Sequence, residues 1–328
     1  MSATRPMTLH ILVSDRDIAF AGPIISHQIA VLGAMCDEVL LVVNRPPSSR
    51  ATSELDEILN AARCQHPRTR VHEVSYSSES IASVSQTYFG GEPYPIFDFK
   101  GVPIHAYLES YSAANNEFVF HSPSDLLYGG SAAGWADIVL PLFDATDPPL
   151  MVAPLAGPPH QGPYGAGGAD VSDAFPGAGS VHRLTTFRGR CHVLHLDRFA
   201  QSIAPLPLVA PARRSETALA TLGGLPRVDH LEVMIGRRMS ERGLHRLDVG
   251  GPGELWTLHP LYKSKRFVNS TPELIDMVRS GEVPTDQVGN YDLVEDLDPR
   301  PPVSRIERIR TAWNGRANRP RPLWSSDL

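Results

Sequence analysis

The chain has 328 residues, 42% of them hydrophobic and 20% charged, enough to bury the core of one large α/β domain or two small ones. Its net charge of −6 argues against a general nucleic-acid binder. Three cysteines, Cys36, Cys64 and Cys191, form neither a disulfide framework nor a zinc pattern, and fit a reducing, cytoplasmic setting. No apolar run approaches roughly 18 residues and no signal-peptide stretch opens the chain, so no transmembrane segment is expected.

Thr8–Val13 reads as a first strand, short and apolar, closed by Ser14-Asp15-Arg16-Asp17. The apolar spacing from about Pro23 to Met35 predicts a helix packed on a sheet, and Glu38–Val43 a second buried strand ending in Asn44. Strand, helix and strand make a βαβ unit with a right-handed crossover. Residues 52–64 read as helix, Arg70–Val74 as a third strand, Val102–Ala114 as helix and Phe118–Phe120 as a strand. Ile138–Phe143 follows as helix and Leu150–Pro154 as strand.

From Gly157 to Gly179, Gly, Pro and Ala dominate, which predicts a long surface loop. Arg183–Leu196 returns to strand character, and Pro205–Pro211 is a second Pro-rich connection. Asp229–Arg242 reads as a helix stopped by Gly243, and another starts at Thr271-Pro272-Glu273 with Thr271 as N-cap. Arg300–Leu328, with seven Arg against Glu307 and Asp327, reads as a partly ordered tail packed on the body. No internal repeat is visible.

The segment that carries most information is Phe118–Asp125. A buried strand ends there in a polar turn, Ser122-Pro123-Ser124-Asp125, so one carboxylate is held at a sheet edge, where ligands of α/β folds bind. Such a group suits a divalent cation and the phosphates it carries. Far downstream come His259, preceded by Trp256 and Leu258, and the basic cluster Lys263, Lys265 and Arg266. The chain has only three lysines, Lys100, Lys263 and Lys265; a GC-rich genome that prefers Arg codons explains their scarcity but not why all three fall in segments assigned to the same site.

With those stations in order, the chain resembles a GT-A-type glycosyltransferase, similar to the inverting enzymes of family 2, from about Thr8 to Lys265. The resemblance implies an α/β, Rossmann-type fold with a mostly parallel central sheet and helices on both faces. It implies a glycosyltransferase domain over 1–270, followed by a C-terminal helix and Pro/Arg-rich extension over 271–328. Val13, Ser14, Asp15, Asn44, Lys100, Ser124, Lys263, Lys265 and Arg266 would face the nucleotide. Asp125 and His259 would hold Mn²⁺ or Mg²⁺. Glu232, with Asp229 in reserve, would take the acceptor hydroxyl's proton; Gly243 lies eleven residues after Glu232, with Arg238 and Arg242 between, as in the family. The donor would be a nucleoside diphosphate sugar, UDP-linked, and the acceptor a small or lipid-linked hydroxyl compound. A homodimer is compatible with this reading.

The D-x-D station departs from the family pattern: its triplet is Pro123-Ser124-Asp125, so one anionic ligand is replaced by proline. Plainer readings stay open beside these. Asp125 would otherwise cap a following helix, His259 would be a core histidine, and Asn44 a turn residue before Arg45-Pro46-Pro47. Glu232 would be a solvated acid in a helix first turn, and the loop 157–179 an insert rather than an acceptor border. A sugar nucleotidyltransferase usually has a Gly-rich basic loop after strand one, and a dinucleotide dehydrogenase a G-x-G-x-x-G; neither is present. The alternatives are a non-catalytic or metal-independent nucleotide-sugar-binding protein of the same fold and, ranked lower, a sugar nucleotidyltransferase.

Overall fold

A computed structural model describes residues 5–14, 17–44, 52–160 and 164–300. In chain order the strands and helices begin β1 (Met7–Ser14), α1 (Ile18–Leu32), β2 (Glu38–Asn44), α2 (Thr52–Gln65), β3 (Thr69–Glu73), α3 (Ser78–Phe89), α4 (Ile104–Tyr111) and β4 (Phe118–Pro123). They continue with β5 (Leu127–Gly129), α5 (Trp135–Leu142), β6 (Met151–Ala153), β7 (Leu155–Ala156), β8 (Ala169–Asp170), β9 (Val181–Leu184) and β10 (His192–His195). The last are α6 (Leu196–Ile203), α7 (Arg214–Leu222), α8 (Leu231–Arg242), β11 (Arg246–Val249), β12 (Trp256–Leu258), α9 (Lys265–Asn269) and α10 (Thr271–Ser280).

Nine strands form the main sheet in the order β3-β2-β1-β4-β10-β6-β11-β9-β8. The pairings make all of them run one way except β10 and β9, which are reversed. The protein is therefore α/β with a mixed, mostly parallel central sheet.

Alternation along the strands decides which face each helix covers. Met7, Leu9, Ile11 and Val13 of β1, with Phe118 and Phe120 of β4, pack with Ile25 and Ile29 of α1, Leu55 and Leu59 of α2 and Trp135 and Val139 of α5. On the opposite face Val119, Met151 and Leu194 meet Val84 of α3, Leu108 of α4, Phe199 of α6 and Met234 of α8. A second small sheet, β5-β12-β7, joins α1, α9 and α10 in a third cluster around Phe20, Ile24, Trp256, Phe267 and Leu274.

Several boundaries differ from the sequence expectations. Helix α1 begins at Ile18 and carries Pro23 inside it, because Phe20 and Ala21 are core residues. With the 3₁₀ turn after it, Ile18–Met35 is 18 residues long and apolar enough to cross a membrane by length and composition. That corrects the expectation of no such run: the stretch holds no charged residue, and its polar His27 and Gln28 are themselves buried. It is 56% buried against the rest of the protein, as a core helix is. Helix α3 was not expected. Its N-cap Ser77 accepts from the Ser80 amide, and its C-cap Gly90 takes φ 68, signals masked by the aromatic, Gly-rich text that follows.

The stretch 183–196 is not one strand but β9 and β10, separated by a turn, and α6, α7 and β11 are additional. The N-cap of α10 is Ser270 rather than Thr271, with Pro272 in its first turn. Among its described residues the loop 157–179 is largely irregular, as expected, apart from β8 and a 3₁₀ turn at Ser172–Ala174. Asp15 and the tail beyond Arg300 lie outside the described residues.

Candidate functional site

The order of the sheet sets where a ligand can sit. From β1 the chain crosses to β2 and β3 on one side, whereas β4 lies on the other. The carboxyl ends of β1 and β4 thus flank a topological switch point, the usual place for a crevice in such sheets. Leu12 pairs with Pro123, and the Ser124 amide donates to the Leu12 carbonyl at 3.0 Å, so Asp125 stands just past the edge. Asp17, the residue before α1, approaches from the β1 side, where the Ser124 hydroxyl donates to its Oδ2 at 3.3 Å.

His259 reaches this edge through the small sheet. Strand β5 follows Asp125 almost at once and pairs antiparallel with β12, with Leu258 opposite Leu127. That register carries His259, one residue past β12, back towards Asp125, and its Nε2 is 4.0 Å from Asp125 Oδ2. An acid and an imidazole far apart in sequence are therefore neighbours, both buried.

Lys263 completes the group. Its Nζ donates to Asp17 Oδ1 and to Asp125 Oδ2, each at 2.8 Å. Burial alone would lower the pKa of this ammonium, but the charges of Asp125 and Asp17 outweigh burial and raise it. Asp17 is pushed up by burial, against the opposing pull of Lys263. Lys263 has φ 49, a left-handed conformation unusual for a side-chain-bearing residue. Fully buried Asp298 holds that turn, accepting from the amides of Tyr262, Lys263 and Ser264 at 2.7, 3.1 and 2.9 Å.

On the far side of His259, its Nδ1 lies 2.8 Å from Asp292 Oδ1 and 2.6 Å from Arg190 Nη1. With a proton on Nδ1 the ring donates to Asp292, and the Nε2 lone pair then faces Asp125; a bare Nδ1 accepts from Arg190 instead. The hydrogen bond from His259 holds the Asp292 carboxyl below its usual range. The Tyr291 ring stacks on His259 with centroids 5.6 Å apart, and the Arg188 guanidinium lies 4.3 Å from the centre of the same ring.

Among the described residues, no group of three or more His, Cys, Asp or Glu could hold a metal ion on its own. A magnesium-type site needs no such cage, because one or two protein ligands and the substrate's phosphates suffice. Asp125 and His259 fit that pattern. Asp125 Oδ1 is buried with no hydrogen-bond partner, an acceptor left for a cation or donor.

Val13 is a buried core residue of β1, and Ser14 ends that strand. Asn44 ends β2, where its Oδ1 accepts from the Tyr76 hydroxyl at 2.8 Å. Lys265 and Arg266 are exposed on α9. Lys100 is exposed, its ammonium 5.0 Å from the centre of the Phe99 ring. Asp98 accepts from the amides of Lys100 and Val102, and is paired with His230. That hydrogen bond raises the His230 pKa.

Glu232 is exposed in the first turn of α8, and its Oε1 accepts from the Gly189 amide at 2.9 Å. A Cβ on Gly189 would fall 2.5 Å from that same oxygen, so a larger residue there would push the Glu232 carboxylate aside. The next residue is Arg190, which reaches His259, so Glu232 is one short link from the central group. Both Glu232 and Asp125 act on the Tyr107 phenol, whose pKa burial raises first and their charges raise further. Asp229 is buried, its carboxylate turned onto the His230 amide at 2.8 Å, which leaves Glu232 the more accessible acid.

Asp17, Arg190, Asp292 and Asp298 were not singled out from sequence. Asp17 had a signal, an acid just before an apolar helix. Asp292 and Asp298 lie in 290–300, where no periodicity marks them.

No family model matches the chain, and no curated protein matches it. Solved structures do resemble it in outline. The galactosyltransferase LgtC, in complex with donor and acceptor sugar analogues, is 13% identical, with a TM-score of 0.35 over 72% of this chain and 71% of that one. A mycobacterial protein is 12% identical, with a TM-score of 0.36 over 84% and 74%. Glucosyl-3-phosphoglycerate synthase from Mycobacterium tuberculosis, in complex with Mn²⁺ and uridine diphosphate, is 15% identical, with a TM-score of 0.27. That match covers 46% of this chain and 44% of the synthase, so the chain spans less than half of it.

Proposed function

We propose that the protein is a GT-A-type glycosyltransferase whose donor, a nucleoside diphosphate sugar, binds at the switch point between β1 and β4. One observation carries this reading: Asp125, His259 and Lys263, drawn from distant parts of the chain, meet at the carboxyl edge of the sheet. Asp125 and His259 would hold Mn²⁺ or Mg²⁺, which when bound supplies positive charge opposite the diphosphate. Lys263 and Arg190 are the side chains placed to neutralise the remaining charge as the diphosphate leaves. Asn44 at the end of β2 and Tyr76, which follows β3 and donates to the Asn44 side chain, would border the nucleoside side.

The proposal extends to inversion, with Glu232 as the base. An inverting transfer needs a carboxylate to accept the acceptor hydroxyl's proton opposite the leaving diphosphate. Glu232 is exposed, fixed in direction by the Gly189 amide, and tied through Arg190 to His259. The donor is proposed as UDP-linked and the acceptor as a small hydroxyl compound.

A thermal-shift screen of UDP-, GDP- and dTDP-sugars, with and without Mn²⁺, tests the reading. A UDP-sugar with Mn²⁺ at a hundred times its Kd should add about 2.7 kcal/mol of stability. Absence of any shift with every nucleotide sugar, in either condition, would contradict it.

A further inference from the structure

The cation that meets the two carboxylates belongs to the chain itself. Lys263 Nζ is 2.8 Å from Asp125 Oδ2, the same oxygen that faces His259 Nε2 at 4.0 Å. It also pairs with Asp17 at 2.8 Å, so two buried acids share one ammonium. We propose that Lys263 is a resident counter-ion that keeps a free divalent cation off Asp125 until a diphosphate draws the ammonium away. The proposal rests on the donor-site reading above and adds to it a rule for loading: metal and nucleotide enter together.

The geometry explains how one residue serves both states. The turn that carries Lys263 is pinned by three amide bonds to Asp298, so its backbone stays fixed at φ 49. The side chain is 34% exposed, with four flexible methylenes between that fixed point and the charge. It can swing from the carboxylates to an arriving phosphate without moving the loop. While it stays, a divalent ion at Asp125 meets a like charge at close range, and Asp125 Oδ2 is already paired. Once the diphosphate takes the ammonium, Asp125 Oδ2 is released with Oδ1, which has no partner, beside it. By linkage, each ligand then raises the other's affinity by the same factor.

The test is Mn²⁺ binding followed by the electron paramagnetic resonance signal of the free ion, on the full chain, without nucleotide and with UDP. Wild-type protein should bind Mn²⁺ at least about tenfold more weakly alone than with UDP. Lys263→Met should bind Mn²⁺ alone at least about tenfold more tightly than wild type, and most of the coupling to UDP should vanish. Lys263→Arg keeps the positive charge and should stay near wild type, whereas a merely structural role would move both variants together. Equal nucleotide-free Mn²⁺ affinities for wild type and Lys263→Met would overturn the proposal. Failure of UDP to bind wild type with Mn²⁺ present would instead remove the donor-site reading, a result separable from the first.

Discussion

Glu232 and Asp298 show how single residues divide the work of the site. Glu232→Gln preserves the acceptor for the Gly189 amide but cannot take a proton. Turnover should therefore fall by about 10²-fold or more while UDP affinity is unchanged. Turnover retained in a steady-state assay of that variant would remove Glu232 as base. Asp298 is different, because its carboxylate accepts from the three amides of the turn that carries Lys263. Replacing it with Ala strips three amides of a charged acceptor, and should cost about 3 kcal/mol in urea unfolding. Nucleotide affinity should weaken with it, since the turn would no longer hold Lys263.

At the scale of elements, the site depends on the register of β5 with β12. Gly129 pairs with Trp256, and a Cβ on Gly129 would fall 2.0 Å from the indole ring. Gly129→Ala should therefore force the strands apart, cost about 1–3 kcal/mol and weaken Mn²⁺-dependent UDP binding, because His259 would lose its place beside Asp125. Unchanged stability and binding by calorimetry would show that the register does not position His259.

The same elements explain what could be read from sequence. Strands β1, β2 and β4 were legible because continuous apolar runs have few other solutions, and Asp125 because it directly follows one. The cross-strand pairing that returns His259 to Asp125 was not. It depends on three-residue strands whose partners are set by tertiary packing, and neither spacing nor propensity encodes that. The charge of Lys263 is legible in the sequence, but its two carboxylate partners are set by the fold.

Across the whole molecule, a set of buried histidines ties stability to pH. His10 and His192 lie on β1 and β10, either side of His121 on β4, all fully buried. Burial pushes His10 and His192 down to about 3, and His27, under α10, down to about 4. These folded values lie below the unfolded value of 6.5, so the unfolded chain takes up protons first as pH falls. The contribution of these rings is then constant above about pH 6.5 and drops below it, by about 1.4 kcal/mol per pH unit for each such histidine. Urea midpoints should fall clearly between pH 7 and pH 5; a flat profile there would show that these rings are solvated or already charged.

The central claim is that the edge where Asp125 and His259 meet is the nucleotide donor site. Isothermal titration of UDP in the presence of Mn²⁺, on wild type, Asp125→Asn and His259→Ala, tests it most directly. Both variants should bind about 100-fold more weakly than wild type, a loss of about 2.7 kcal/mol, with their folds intact by circular dichroism. Wild-type affinity in both variants would place the nucleotide elsewhere and contradict the account.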